Sequence, residues 1–406
     1  MPTTPSVSPA ATATATAADP AGAGWSPPGR TTALLTVTGI LVVGQMYIVL
    51  PLLGPMARSF SASPGAVTWM ATGFGLAYAT GFLFAGPLAD RYGPRRVIVL
   101  GLLATTLTTL AVPLATDLAA GCALRAVQGL AAASFAPAAF SVIATTVAPQ
   151  RRPFALTCVT SGFLAAAVLV QVASQALESL AGWRTAFLTF GPLMALAAVF
   201  ARRVLAADGG DRAATVRSAF AAMPRLLATP RLLLLYAATC TLLGGFVALY
   251  TAVSLAGPPG VSGNEGALLW LRAGALPAMV AVPLLAGALG RVPGRVRLPA
   301  ALALAGAAAL AASGAGGSAV ALGAVLLLLV AGIAIAAPAL VEAVAAAGGS
   351  ARGAAVALYA CAMFIGASLG PQLANSLADW GFAGIVRVVA AVFAAGAVLS
   401  VAAFSR

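Results

Sequence analysis

A chain of 406 residues that is 61% hydrophobic and 8% charged, with a mean hydropathy of +1.01, cannot cover a water-soluble surface. Soluble domains carry about a quarter of their residues as charges, so hydrocarbon must replace water around most of this one. The net charge of +13 comes from arginine alone, without lysine, and the lack of histidine removes Ser–His catalysis, imidazole proton relays and histidine metal sites together.

Residues 1–30 are rich in Ala, Thr and Pro and lack the basic start and apolar run of a signal peptide, so they read as a disordered cytoplasmic tail. Apolar segments of membrane-crossing length then recur, at about 31–56, 66–88, 95–116, 120–147, 154–177, 184–204, 231–256, 266–289, 297–315, 320–343, 353–377 and 384–403. The predicted fold is an all-α membrane protein. Twelve transmembrane helices form two pseudo-symmetric six-helix bundles, 31–204 and 231–406, joined by a cytoplasmic linker at 205–230. Twelve spans put both termini on one side. With that side taken as the cytoplasm, 17 of the 22 arginines fall on it and 2 fall outside, the bias expected of a multi-pass cell-membrane protein. In a soluble domain such a charge excess would suggest nucleic acid. Here the arginines sit in short links between apolar runs, so the expected partner is the lipid bilayer and not nucleic acid. Cys122, Cys158, Cys240 and Cys361 all lie inside apolar runs and read as small packing residues. No metal or cofactor is expected.

The link between spans 2 and 3 reads GPLADRYGPRR at 86–96 and concentrates charge in a chain that otherwise avoids it. The positive-inside bias explains Arg91, Arg95 and Arg96. It does not explain Asp90, because an acid at a helix C-terminus faces the negative pole of the macrodipole and needs a partner. The two halves also repeat weakly. A shift of 201 residues brings Gly86 onto Gly287, Gly93 onto Gly294, Arg96 onto Arg297 and Gln171 onto Gln372, while Asp90 meets Arg291. Paired six-helix halves of common origin are a transporter plan, with the substrate site between them.

GPLADRYGPRR resembles the loop 2–3 signature of the major facilitator superfamily, carried by Gly86, Asp90, Arg91, Gly93, Arg95 and Arg96. LRAVQG at 124–129 and GWRTAF at 182–187 resemble segments of its twelve-span bacterial drug–proton antiporters. The resemblance covers about 31–403 and implies transport by rocking one half against the other. It also implies that Asp90 is a conformational latch, resting on the start of span 11 near Arg352–Ala355 when the inner side is closed. The chain departs from that branch in two places. Span 5, TSGFLAAAVLVQVASQAL, has no Gly-Pro pair, and span 1 offers Gln45 and Tyr47 where many such exporters carry an acid.

An arginine inside a membrane helix is costly and a functional candidate by default. Arg125 in span 4 is one, with Gln128 on its face and Gly129 allowing a close neighbour. The alternative is an arginine snorkelling outward toward Asp117. Glu342 in span 10 is the one acid that reads as lying within the hydrocarbon, against the alternative of a glutamate at the inner interface. Arg125 and Glu342 are therefore the proton-coupling candidates. Arg272 and Arg387 read as snorkelling ends. Gln171, Ser174 and Gln175 form a polar stripe on span 5, and Ser368, Gln372 and Asn375 form one on span 11. Both should face the interior, since amides are costly against lipid. With Gln45, Tyr47, Gln128, Phe246, Tyr250 and Tyr359, these amides make the expected substrate-binding set, and spans 3, 9 and 12 contribute no such stripe.

The expected function is proton-coupled efflux of small amphiphilic or drug-like compounds by a monomer. The alternative is import or exchange of a small organic anion, which requires the guanidiniums of Arg125, Arg272 and Arg387 to converge on a central cavity. An intramembrane enzyme fails on inventory, with no histidine and no pair of mid-membrane aspartates.

Overall fold

A computed structural model describes residues 28–206, 221, 223–257, 261, 264–274, 277–278, 281, 291–315 and 318–405. Most of the tail, most of the 205–230 link and half of span 8 lie outside the described residues, as do Gly287 and the side chain of Arg272. Among the described residues every regular element is helical. Among the described residues ten helices are long and apolar enough to cross a membrane, and a shorter apolar helix covers Gly29–Gly44.

The first half comprises α1 (Pro28–Gly44), α2 (Leu53–Ser59), α3 (Pro64–Tyr92), α4 (Pro94–Ala111), α5 (Leu118–Ala132), α6 (Phe135–Thr146), α7 (Arg152–Ala181) and α8 (Trp183–Val204). The second comprises α9 (Met223–Leu227), α10 (Pro230–Ala256), α11 (Glu265–Ala273), α12 (Gly294–Ala312), α13 (Ala319–Ala347), α14 (Arg352–Ser376) and α15 (Gly381–Ser405). Within the first half α1 packs on α7, α3 on α5 and α4 on α8; within the second α10 packs on α14 and α15, and α12 on α13 and α15. The halves meet along α3 and α14 and, less extensively, along α7 and α11.

Two turns explain motif glycines. Gly93 has φ 87° and ψ 133°, a region open to glycine because it has no Cβ. It caps α3 by donating its N–H to Ala89 and hands the chain to Pro94, whose fixed φ starts α4. Gly182, at φ 83°, makes the same junction between α7 and α8.

Span 1 is not one helix, as the sequence suggested. After Gly44 the backbone shortens its ladder: Gln45, Met46 and Tyr47 donate to Val42, Val43 and Gly44, three residues back. The cause is contact with α7. A Cβ on Gly44 would lie 2.2 Å from Val170 Cγ2, so the backbones approach more closely here than a side chain permits. Pro51 then lacks the N–H that an interior helical position would donate. The break frees the Gln45 carbonyl for a partner outside its own helix.

Candidate functional site

That partner is Arg125. Asp117 caps α5, its Oδ1 accepting the Ala120 N–H at 2.8 Å, and this N–H holds the Asp117 carboxyl below the usual carboxylate range. Two turns on, Arg125 is completely buried, so it does not snorkel toward Asp117. Its Nη2 donates to the Gln45 carbonyl at 2.7 Å, its Nη1 to Gln128 Oε1 at 2.6 Å and its Nε to the Met70 carbonyl at 3.4 Å. Gln128 Nε2 in turn donates to Gln45 Oε1 at 2.9 Å and to Thr109 Oγ1 at 2.6 Å. The guanidinium lies 4.2 Å from the Phe74 ring centroid, where the ring face attracts a cation. Gly129 makes this crossing possible: a Cβ there would sit 2.1 Å from the Phe74 carbonyl oxygen. The cluster ties α1, α3, α4 and α5 through one positive charge held entirely by neutral groups. Among the described residues no carboxylate pairs with it; the ion pair recorded there is Arg297 with Glu342.

The α3–α14 seam differs between its two ends. Near the start of α3 and the end of α14 it is closed and polar. Gln372 Nε2 donates to Thr68 Oγ1 and Thr72 Oγ1, each at 3.0 Å, and Thr72 Oγ1 donates to the Ser368 carbonyl at 2.8 Å. A Cβ on Gly65 would lie 1.9 Å from Asn375 Oδ1, and one on Gly75 would lie 2.0 Å from Ser368 Oγ. Farther along, Phe364 packs on Tyr78 at 4.5 Å and on Phe82 at 5.4 Å between ring centroids. At the other end Asp90 is exposed and makes no hydrogen bond or ion pair among the described residues, and a Cβ on Gly86 would meet nothing within 4 Å. Asp90 thus does not rest on the start of α14 in this structure. The Ala355 carbonyl there takes the Tyr236 hydroxyl at 3.3 Å. Arg91 lies 5.5 Å from the ring centroid of Tyr92, Arg95 donates to the Arg202 carbonyl at the negative end of α8, and Arg96 is exposed.

Between the halves lies a narrow cleft of about 30 Å³, room for a water or two. Tyr47, Phe163 and Ala167 face Leu243, Phe246, Val330, Ile333 and Ala334 across it. Tyr250 packs on Phe246 at 4.9 Å between centroids. Gln171 donates to the Ala167 carbonyl one turn back, while its Oε1 and Ser174 Oγ are buried without partners among the described residues. Gln175 is buried, and the buried Tyr359 turns its hydroxyl to Met363 Sδ at 3.6 Å.

The expected substrate set is therefore divided by the structure. Tyr47 and Phe246 line the cleft, with Tyr250 packed on Phe246 and Gln171 bonded back to Ala167; Gln45 and Gln128 hold Arg125, and Gln372 and Asn375 lie against α3. Glu342 is 65% exposed and paired with Arg297, where the end of α13 meets the start of α12. Arg387 is exposed on α15.

Residues 35–371 match the sequence pattern of the Major Facilitator Superfamily. The chain belongs to this superfamily. Members similar to it include the putative uncharacterized transporter YgaY of Escherichia coli, 34% identical over 169 residues, which is 41% of this chain and 42% of YgaY. The cephamycin export protein CmcT of Amycolatopsis lactamdurans is 33% identical over 193 residues, 45% of this chain and 40% of CmcT. The methylenomycin A resistance protein of Bacillus subtilis is 32% identical over 153 residues, 37% of this chain and 32% of that protein. The chain thus spans less than half the length of each. With ten helices of spanning length among the described residues, the chain is a multi-pass membrane protein of this superfamily.

Two groups in this superfamily member escaped sequence reasoning. Thr105 and Thr109 give α4 a buried polar face, and their one-turn spacing in TTLTTL carried the signal. Thr68 and Thr72 carry the seam, again one turn apart. The apolar residues lining the cleft left no signal, because Leu243, Val330 and Ile333 read like any lipid-facing residue.

Proposed function

We propose that this transporter exports small amphiphilic compounds across the cell membrane by alternating access, working as a monomer with both termini in the cytoplasm. The observation that carries the reading is the central cleft. It draws its lining from both halves, it is aromatic and aliphatic, and the Tyr47 hydroxyl is the polar side-chain group among the lining residues. Such a surface favours apolar and aromatic compounds and selects weakly among them. The names of relatives that export or resist antibiotics point the same way.

The arginine distribution supports the proposed orientation, and with it the closed end of the α3–α14 seam is the outer end. On that orientation the exposed Asp90 end is the cytoplasmic one, which supports reading this as the inward-facing state. That state leaves Asp90 unengaged, in keeping with a latch that acts when the inner side closes.

The organic-anion alternative receives less support. Arg125 is completely buried and gives three of its five N–H donors to Met70, Gln128 and Gln45, and Arg387 is exposed. The expected proton coupling would run through Arg125 or Glu342. The first holds no acid, and the second is an exposed, ion-paired glutamate, so the proposal stops at export.

The test is a susceptibility panel, including cephamycin and methylenomycin A, on cells lacking and overexpressing the protein. Protection against amphiphilic compounds on overexpression is expected. No protection, together with faster uptake of small organic anions, would replace this reading with the alternative.

A further inference from the structure

We propose, building on the central cleft as the carrying site, that the Phe364 ring is a plug standing where part of the compound binds. The space it fills takes an aromatic ring that bears a hydrogen-bonding group, and the Tyr78 hydroxyl reads that group.

The cleft as it stands is too small for a drug-like compound. Its volume of about 30 Å³ is at most a tenth of the roughly 300–1,000 Å³ typical of such sites. Part of its wall must therefore give way on binding. The internal repeat points to the part. The shift of 201 residues that brings Gln171 onto Gln372 also brings Phe163 onto Phe364. Phe163, on α7, lines the cleft. Phe364, on α14, is buried at the α3–α14 seam instead, with its ring centroid 4.5 Å from that of Tyr78 and 5.4 Å from that of Phe82. The seam thus holds a phenyl ring where its repeat-mate borders open space.

Three features mark the place of that ring as a site. First, it adjoins the cleft. Tyr47 lines the cleft and is near enough to Tyr78 for a charge on one phenol to be felt at the other. At the same level Met46 Cε lies 3.2 Å from where a Gly75 Cβ would be, so the break after α1 packs on α3 beside Tyr78. Second, the surroundings are aromatic. Phe74 stacks on Tyr78 at 5.6 Å between centroids, and Phe82 meets it edge-on at 5.0 Å. Third, Tyr78 is 1% exposed, and its hydroxyl is buried without a hydrogen-bond partner among the described residues. The two helices that pack most extensively on α3, α5 and α14, are described throughout. A hydroxyl in that condition forgoes the bond that water would give it, and a ligand group that supplies one is favoured.

Exchange of rings keeps the packing and satisfies the hydroxyl. Phe364 is one side chain held by ring faces and edges, so it can swing aside by rotation about its own bonds. A ring of the compound then replaces it against Tyr78 and Phe82, like for like. An O–H, N–H or carbonyl on that ring meets the Tyr78 hydroxyl, which both donates and accepts. Aliphatic compounds lack the first match, and unsubstituted arenes lack the second.

The test uses the full chain in phosphatidylcholine–phosphatidylglycerol nanodiscs, with 4-fluorophenylalanine at residue 364. The fluorine resonance reports titrations with 2-naphthol and with naphthalene, each referred to its concentration in the bilayer. Both should shift the resonance by displacing the ring. 2-Naphthol should bind about two- to tenfold more tightly than naphthalene, the worth of one hydrogen bond. Tyr78→Phe should erase that difference and leave naphthalene unchanged. In Phe364→Ala, followed through 3-fluorotyrosine at residue 78, naphthalene should bind more than about threefold more tightly, because no ring competes for the space. Phe364→Leu serves if Phe364→Ala does not fold. A resonance that stays still at saturating probe would overturn the plug, and so would weaker naphthalene binding after the ring is removed. A preference for 2-naphthol that survives Tyr78→Phe would overturn the role of the hydroxyl. The susceptibility panel fails or succeeds separately: without protection the export reading falls, while these titrations still decide what the site binds.

Discussion

The two ends of the α3–α14 seam are built from the same pair of helices and hold together differently. At one end Thr68, Thr72, Gln372 and Ser368 exchange direct hydrogen bonds across the halves, and Gly65 and Gly75 bring α14 so near that a methyl group would not fit. At the other end Asp90 is exposed and the space over Gly86 is empty. Neutral hydrogen bonds and glycine contacts need near-touching helices and vanish after a small separation. A charge beside a helix terminus acts over a longer distance and can recapture an open end. The contrast fits a device that releases one end as it closes the other.

The largest expected effect comes from the cluster beside the closed end. Arg125→Ala leaves Gln45 and Gln128 with buried groups unpaired and removes the tie among four helices. Transport should be lost, measured as loss of protection in the susceptibility panel by a protein still present in the membrane. Arg125→Lys should restore little, because an ammonium cannot span the Gln45 carbonyl and Gln128 as the planar guanidinium does.

Next comes a direct strike on the closed end. Gly75→Leu places a side chain where Ser368 lies, so the distance between spin labels at Ser179 and Ser376, near the ends of α7 and α14, should lengthen and the closed population should become minor. Removing the polar contacts is gentler. Hydrogen bonds between membrane helices are worth about 0.6 kcal/mol each, so Gln372→Leu, which removes two, should shift the ratio of states about sevenfold toward the open outer end. An unchanged ratio would mean that packing, and not the amide, holds the seam. At the other end Asp90→Asn should change little in the inward-facing form itself but lower the outward-facing population. A partly buried contact at a helix terminus is worth up to about 2 kcal/mol, or up to thirtyfold.

The smallest effect is expected at Asp117. Its carboxyl is held below the ordinary range, so its contribution is present above about pH 4, the unfolded carboxylate value, and is lost as pH falls through the lower folded value. Asp117→Asn should remove that acid dependence from thermal unfolding while leaving stability at neutral pH close to the parent.

Much of the fold could be read in the sequence because the bilayer imposes length and polarity on each helix separately. Span lengths, Gly93 and Gly182 at turns, and Arg125 with Gln128 and Gly129 on one face of α5 follow from local rules. The break after Gly44 was only half legible, since Pro51 is a local helix breaker but the close contact of Gly44 with Val170 lies far away in the chain. The destination of a polar stripe was equally hidden. Ser368, Gln372 and Asn375 share a face of α14 whether that face meets substrate or α3, and only packing places them against Thr68 and Thr72. Glu342 read as a possible intramembrane acid because its neighbours are apolar; its partner Arg297 comes from α12, 45 residues earlier.

The most direct test of this account is a reversible cross-link across the closed seam. Gly65→Cys with Asn375→Cys, in a cysteine-free background, puts the Cβ of residue 65 about 2.8 Å from the place of the Asn375 Cγ, where the second thiol would lie, within reach of a disulfide. Oxidation should join them in vesicles and stop efflux of the panel compound against which the protein protects most, and reductant should restore it. Full efflux through the cross-linked protein would contradict the claim that the two halves separate along α3 and α14 in every transport cycle.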